Sequence, residues 1–148
     1  MAPDVGAEAV RPETLEIFVG GLRGHSYGVR WRNGFLYYEE FSGFCELKGA
    51  VPIEPSTDAW QRFWAACDAI DVWRWAASYA ASHTDPAADQ RDPASAGANW
   101  SMQIAVGGKR AASSGRNAYP PDGSPEPTPA FQRLCEAVSA LAGGQSFG

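Results

Sequence analysis

The residues able to do acid–base or nucleophilic chemistry are few and scattered. His25 stands beside Ser26 and Tyr27 in Gly24-His25-Ser26-Tyr27, types that could supply a base and a nucleophile. Neighbouring residues of an extended segment point to opposite sides, and a nucleophile–base pair works only through spatial geometry. No carboxylate is spaced to orient this ring, so His25 reads as a loop histidine. His83, Asp85, Asp89 and Asp92 gather the ligand types of a hard cation. Their spacing lacks the D-x-[DN]-x-[DN]-G pattern and closing glutamate of a calcium loop, and it reads as a solvated loop. Glu39-Glu40 resembles an acid pair, but adjacent strand residues face opposite ways and cannot share one substrate.

The three cysteines are Cys45, Cys67 and Cys135. Their odd number, wide spacing and lack of a C-x-x-C argue against a disulfide scaffold or a zinc cage. Cys67 and Cys135 fall on apolar helical stripes and read as small buried hydrophobes, whereas Cys45 sits near a loop. Gly20-Gly21-Leu22-Arg23-Gly24 and Gly107-Gly108-Lys109 read as turns, because a phosphate loop needs Gly-Lys-Ser/Thr opening a helix. No catalytic residue, metal or cofactor is therefore expected. An enzyme acting through His25, Tyr27 or Cys45 would rest on residue type alone.

The elements that would position any site follow from periodicity. Leu15–Val19 alternates as a short strand. Tyr27–Arg32 and Phe35–Phe41 alternate on either side of Asn33-Gly34, the dipeptide that best suits the positive φ of a type I′ hairpin. Trp60, Phe63, Trp64, Cys67 and Ile70 recur at helical spacing behind a cap at Ser56 or Thr57. Val72, Trp73, Trp75 and Tyr79 extend the apolar content as a short helical segment after a bend near Asp71. Trp100–Val106 alternates, Gly107-Gly108 turns, and Lys109–Ser114 returns as a weaker strand. Phe131, Leu134, Cys135, Val138 and Leu141 form a second helical stripe, ended by Gly143-Gly144.

The two helices align, Ala59-Trp60-Gln61-Arg62-Phe63 upon Ala130-Phe131-Gln132-Arg133-Leu134. Each follows a hairpin that closes at Ser-Gly. The expected plan is a ββα–ββα pseudo-repeat, with units at 26–79 and 100–144 joined by a mobile loop at 80–99. A flexible tail at 1–13 precedes a single domain at 14–148. The expected fold is an α+β two-layer sandwich, a four- to five-stranded antiparallel sheet with both helices on one face.

Alternation then assigns the opposite face. Arg30, Arg32, Phe35, Tyr37, Glu39 and Phe41, with Phe18 from the first strand, should look away from the helices. Arginine mixed with aromatics is the composition of protein interfaces, so these residues form the candidate partner-binding surface. Trp73, Trp75, Tyr79, Trp100 and Tyr119 form the candidate wall of a small-ligand pocket under the long loop.

With 148 residues the chain is long enough for one core. Its formal net charge of -5 lacks the basic field a nucleic-acid coat needs and favours encounter with a basic target. No membrane span is expected from the apolar runs. The acidic start without an apolar h-region does not read as a signal peptide, so the expected location is the cytoplasm. Alanine usage hints at a bacterial source. The expected function is protein interaction of the immunity, inhibitor or adaptor type, or self-association; the alternative is small-ligand binding.

Overall fold

The computed structural model describes residues 11–22, 25–42, 46–80, 99–116, 118–124 and 126–147. Cys45, the cluster of His83, Asp85, Asp89 and Asp92, most of the expected tail and nearly all of the expected loop at 80–99 lie outside the described residues, as does the side chain of His25. The elements in chain order are β1 (Thr14–Leu22), β2 (His25–Arg32), β3 (Phe35–Ser42), β4 (Glu46–Ile53) and α1 (Thr57–Ile70). A single 3₁₀ turn (Val72–Arg74) follows, then β5 (Ser78–Ala80), β6 (Asn99–Val106), β7 (Lys109–Arg116) and α2 (Pro129–Leu141).

The strands make one seven-stranded sheet in the order β4-β3-β2-β1-β6-β7-β5. β1 lies at its centre, antiparallel to β2 on one side and to β6 on the other. Two hairpins flank it. Asn33 (φ 55°) and Gly34 (φ 84°) turn β2 into β3, and Gly107 (φ 54°) and Gly108 (φ 85°) turn β6 into β7. Two successive positive φ angles are the geometry whose twist matches the flanking strands.

The sheet corrects two expectations. It has seven strands rather than four or five, and it is mixed, because β5 runs parallel to β7. β4 is legible as a strand only through its ladder with β3, since it carries Gly49 and Pro52. Proline is tolerated there because the strand is an edge. β5 is a three-residue strand that forms after the 3₁₀ turn brings the chain back to the sheet. The strict ββα–ββα plan is likewise not reproduced. β4 intervenes between the first hairpin and α1, whereas β7 leads to α2 through an isolated Tyr119–Ser124 bridge.

Both helices are capped by the residue types their ends require. Ser56 Oγ accepts from the Ala59 N–H at 3.0 Å, and Thr128 Oγ1 accepts from the Phe131 N–H at 3.2 Å, with Pro129 at the first helical position. α1 stops at Asp71 in a left-handed conformation. The buried stripes correspond position by position: Trp60, Phe63, Cys67 and Ile70 in α1, and Phe131, Leu134, Val138 and Leu141 in α2.

The stripes cover the same side of the sheet. Trp31 meets Trp60 edge-on at 5.4 Å, and Trp100 meets Phe131 at 5.3 Å. Trp100 pairs across the ladder with Val19, and Val19 with Tyr27, so Trp100 and Trp31 project from one face. Leu15, Ile17, Val29, Leu36 and Ile104 complete this core, each nearly inaccessible. Each large side chain buried there contributes about 1.5–3 kcal/mol before entropy is subtracted. Trp60 is enclosed by Trp31, Phe63 and Trp64. Its indole N–H has no hydrogen-bond partner among the described residues, a local cost that burial of the ring outweighs.

The chain does not leave the core at Gly144. Ser139 Oγ donates to the Gln145 carbonyl at 2.6 Å, and the Tyr38 hydroxyl donates to the Ser146 carbonyl at 2.6 Å. Phe147 is thereby buried beside Tyr27. Burial and the nearby Glu40 carboxylate push the Tyr38 hydroxyl up to about 12, so it stays a donor throughout the neutral range. No described helix is long and apolar enough to cross a membrane.

Candidate functional sites

One face of the sheet carries neither of the described helices, and register decides what stands on it. In β2 and β3 the inward residues are Val29, Trp31, Leu36 and Tyr38, so Arg30, Arg32, Phe35, Tyr37, Glu39 and Phe41 point outward together. Arg30 lies opposite Glu16 of β1 and Tyr37 of β3. Its guanidinium bridges two carboxylates, Glu16 at 3.4 Å and Glu39 at 3.7 Å. Glu39 is the more enclosed of the two. Arg30 is therefore held across three strands, whereas Arg32 is exposed and makes no ion pair among the described residues.

Gly28 sits beneath this group. Phe18 and Phe41 meet edge-on at 5.9 Å beside it. The missing side chain leaves a cleft of about 230 Å³ between these rings and the Arg30–Glu39 pair. Phe35 and Tyr37 lie 6.4 Å apart at the hairpin end, and Phe35 is 38% exposed. All six residues read from the sequence thus share one surface. Glu16 and Gly28 belong to it too. Alternation along β1 would have placed Glu16 outward, but its union with Arg30 needed the β1–β2 register.

The neighbouring half of the same face is built differently. Ser101 and Gln103 of β6 and Ala112 and Ser114 of β7 line a shallow depression of about 430 Å³. No aromatic side chain stands there among its described lining residues.

The aromatic set read as a pocket wall is spread through the core. Trp75 and Trp100 are buried against each other at 6.1 Å, and Tyr79 lies 6.1 Å from Trp100. Their indole N–H groups are used internally: Trp75 donates to the Ile70 carbonyl at 3.2 Å and Trp100 to the Ala118 carbonyl at 2.9 Å. Trp73 lies at the α1 edge, donating to Asp68 at 2.7 Å with Lys109 over its ring. Tyr119 packs on Phe131 at 4.8 Å.

Of that set only Tyr119 reaches a second cavity, which sequence reasoning missed. This cavity of about 620 Å³ lies between α2, β1 and the C-terminal segment. Phe131, Phe147, Tyr119 and Val19 make its apolar wall, and Gln132, Glu136 and Ser139 make its polar side. Helical spacing in α2 shows the polar stripe, but Phe147 enters the wall only because the chain returns after α2. Cys135 also faces the cavity. Burial first, and the nearby Glu136 second, push its thiol up to about 12, and burial does the same for Cys67. Neither is a thiolate at neutral pH, so neither is an activated nucleophile.

Compared with protein-family models, curated proteins and solved structures, the chain matches none of them.

Proposed function

We propose that this protein is an interaction module of the inhibitor, immunity or adaptor type that docks a protein partner on the face of β2 and β3 opposite the described helices. One observation carries the reading: Phe35, Tyr37, Phe18 and Phe41 stand with Arg30 and Arg32 on the side of the sheet away from both helices. Rings and arginines of this kind supply most of the binding energy of protein interfaces. Arg30 is already paired and ordered, so little entropy is lost when a partner seals it from water. Arg32, on the same hairpin and in no ion pair among the described residues, is placed to meet the partner.

The charge of this face differs from that of the chain. The described strand residues on it carry Arg30, Arg32, Arg110 and Arg116 against Glu16 and Glu39. The net charge of -5 alone favours a basic target, but the local surface favours an acidic one with an apolar recess for Phe35 and Tyr37. Local charge within about one Debye length, roughly 8 Å, sets the close encounter.

The test is affinity capture from lysate with the parent protein and two triple variants, followed by titration of the purified partner. Replacing Arg32, Phe35 and Tyr37 by Ala should weaken binding by about a hundredfold or more. Replacing Ser101, Gln103 and Ser114 by Ala should leave it within about threefold. Both should keep the parent Tm. Binding that survives the first variant, or is lost only in the second, refutes the reading; a single self-associated species sensitive to the first variant makes the partner a second copy.

A further inference from the structure

We propose that the cavity between α2, β1 and the C-terminal segment binds a small amphipathic molecule with an apolar body and a positively charged amine head. The site lies on the helix side of the sheet and is independent of the docking face.

Size selects a small molecule. A volume of about 620 Å³ falls within the range of about 300–1,000 Å³ typical of small-ligand pockets. A partner helix about 10 Å across would find room for only about one and a half turns. The walls are also held in place without a ligand. Phe131 is fixed by its stripe and by Tyr119 and Trp100. The α2 cap Thr128 donates to the Pro120 carbonyl, and the Gln145–Phe147 segment is tied down by Ser139 and Tyr38. A preformed apolar wall does not have to be ordered at the moment of binding.

The polar side selects the head group. Gln132, Glu136 and Ser139 recur at i, i+4 and i+7 along α2, so they form one row at the edge of the apolar wall. The Ser139 hydroxyl is committed to the Gln145 carbonyl. Glu136 is the one acidic side chain among the described lining residues, and it makes no ion pair among the described residues. No lysine, arginine or histidine is present among those lining residues. The Cys135 thiol stays neutral. A carboxylate or phosphate head would therefore find no cation there and would face the Glu136 carboxylate, whereas an ammonium head gains a charge-assisted hydrogen bond at Glu136.

The probes are decylamine and decanoate, which share an alkyl chain and differ in head charge, each used below its micelle concentration. Binding is read by calorimetry and by amide shifts in α2 and at Val19 and Gly20. Decylamine should bind about tenfold or more tightly than decanoate. Glu136→Gln should abolish that preference, and Glu136→Lys should reverse it; Glu136 is exposed, so both variants fold. Failure of both probes to bind, equal binding of the two heads, or a preference that both variants keep would overturn the proposal. Amide shifts confined to the β2–β3 face would overturn it as well, and so would a groove filled by self-association that neither probe disturbs. None of these outcomes bears on the partner titration at the sheet face.

Discussion

The two faces of the β2–β3 hairpin are made from alternate residues of the same strands, yet they obey different physics. On the helix side Val29, Leu36 and Tyr38 are buried and Trp31 leans on Trp60. On the other side Phe35 is exposed, and Arg30 finds its partners in Glu16 and Glu39 rather than in a hydrophobic layer. The covered face shows ring types doing the work of packing. The bare face shows the same ring types with no described layer over them, and that difference, more than composition, is what supports the docking proposal.

The contrast can be broken most sharply at neighbouring positions. Leu36→Ala should cost about 2–5 kcal/mol, because Leu36 is fully buried and its loss leaves a cavity, while Phe35→Ala next to it should change stability by about 0.5 kcal/mol or less. Urea denaturation of the two variants measures this, and similar losses for both would mean that Phe35 belongs to a packed layer.

Two strand glycines sharpen the same comparison at smaller magnitude. On the covered face, a Cβ at Gly115 would fall within the Ala118 carbonyl and the Trp100 indole, which are hydrogen-bonded to each other. Gly115→Ala should cost about 1–3 kcal/mol or more, as overpacking does. On the bare face, a Cβ at Gly28 meets its nearest atoms at 3.6 Å, an ordinary contact. Gly28→Ala should fall between neutral and about 1 kcal/mol stabilising, through the reduced freedom of the unfolded chain. Thermal midpoints of the pair decide the matter.

Ion pairs give the smallest effects. Glu16 is half-exposed, so Glu16→Gln should lower stability by about 1 kcal/mol or less, and less still at high salt. A salt titration of the unfolding midpoint checks it. On the covered side, Asp68 joins α1 to β7: its carboxylate accepts from Trp73 at 2.7 Å and pairs with Lys109 at 3.2 Å. The hydrogen bond from Trp73 and then the Lys109 ammonium hold its carboxyl below the ordinary 3.8. The contribution is present above that ordinary value and is lost as pH falls through the depressed one. Asp68→Asn should therefore lower the neutral plateau of the stability–pH curve by about 1 kcal/mol or less, flatten its acid limb by the same small amount, and rejoin the parent curve below the depressed value, as urea unfolding across the acid range measures.

Much of this architecture was legible in the residues. The Asn33-Gly34 turn set the register of β2 against β3, and with it the common orientation of Arg30, Arg32, Phe35, Tyr37, Glu39 and Phe41. The i, i+3, i+4 spacing of Trp60, Phe63 and Trp64 announced the buried side of α1. β4 was not legible, because Gly49 and Pro52 interrupt any strand pattern and its pairing is supplied by β3. β5 escaped because three residues carry no periodicity. The aromatic set assigned to a pocket was ambiguous in principle, since a tryptophan lining a ligand site and one filling a core have the same sequence signature.

Local chemistry, then, determined the turns, the caps, the helical stripes and the two sides of each hairpin, because each of these depends on residues within a few positions of one another. The tertiary structure alone decided that β1 would join the hairpins through Glu16 and Arg30, that β5 would add a parallel edge, and that Phe147 would return to complete a cavity against α2. Those outcomes rest on contacts between distant segments. Their free energy comes from surfaces that exist only once the rest of the chain has closed around them.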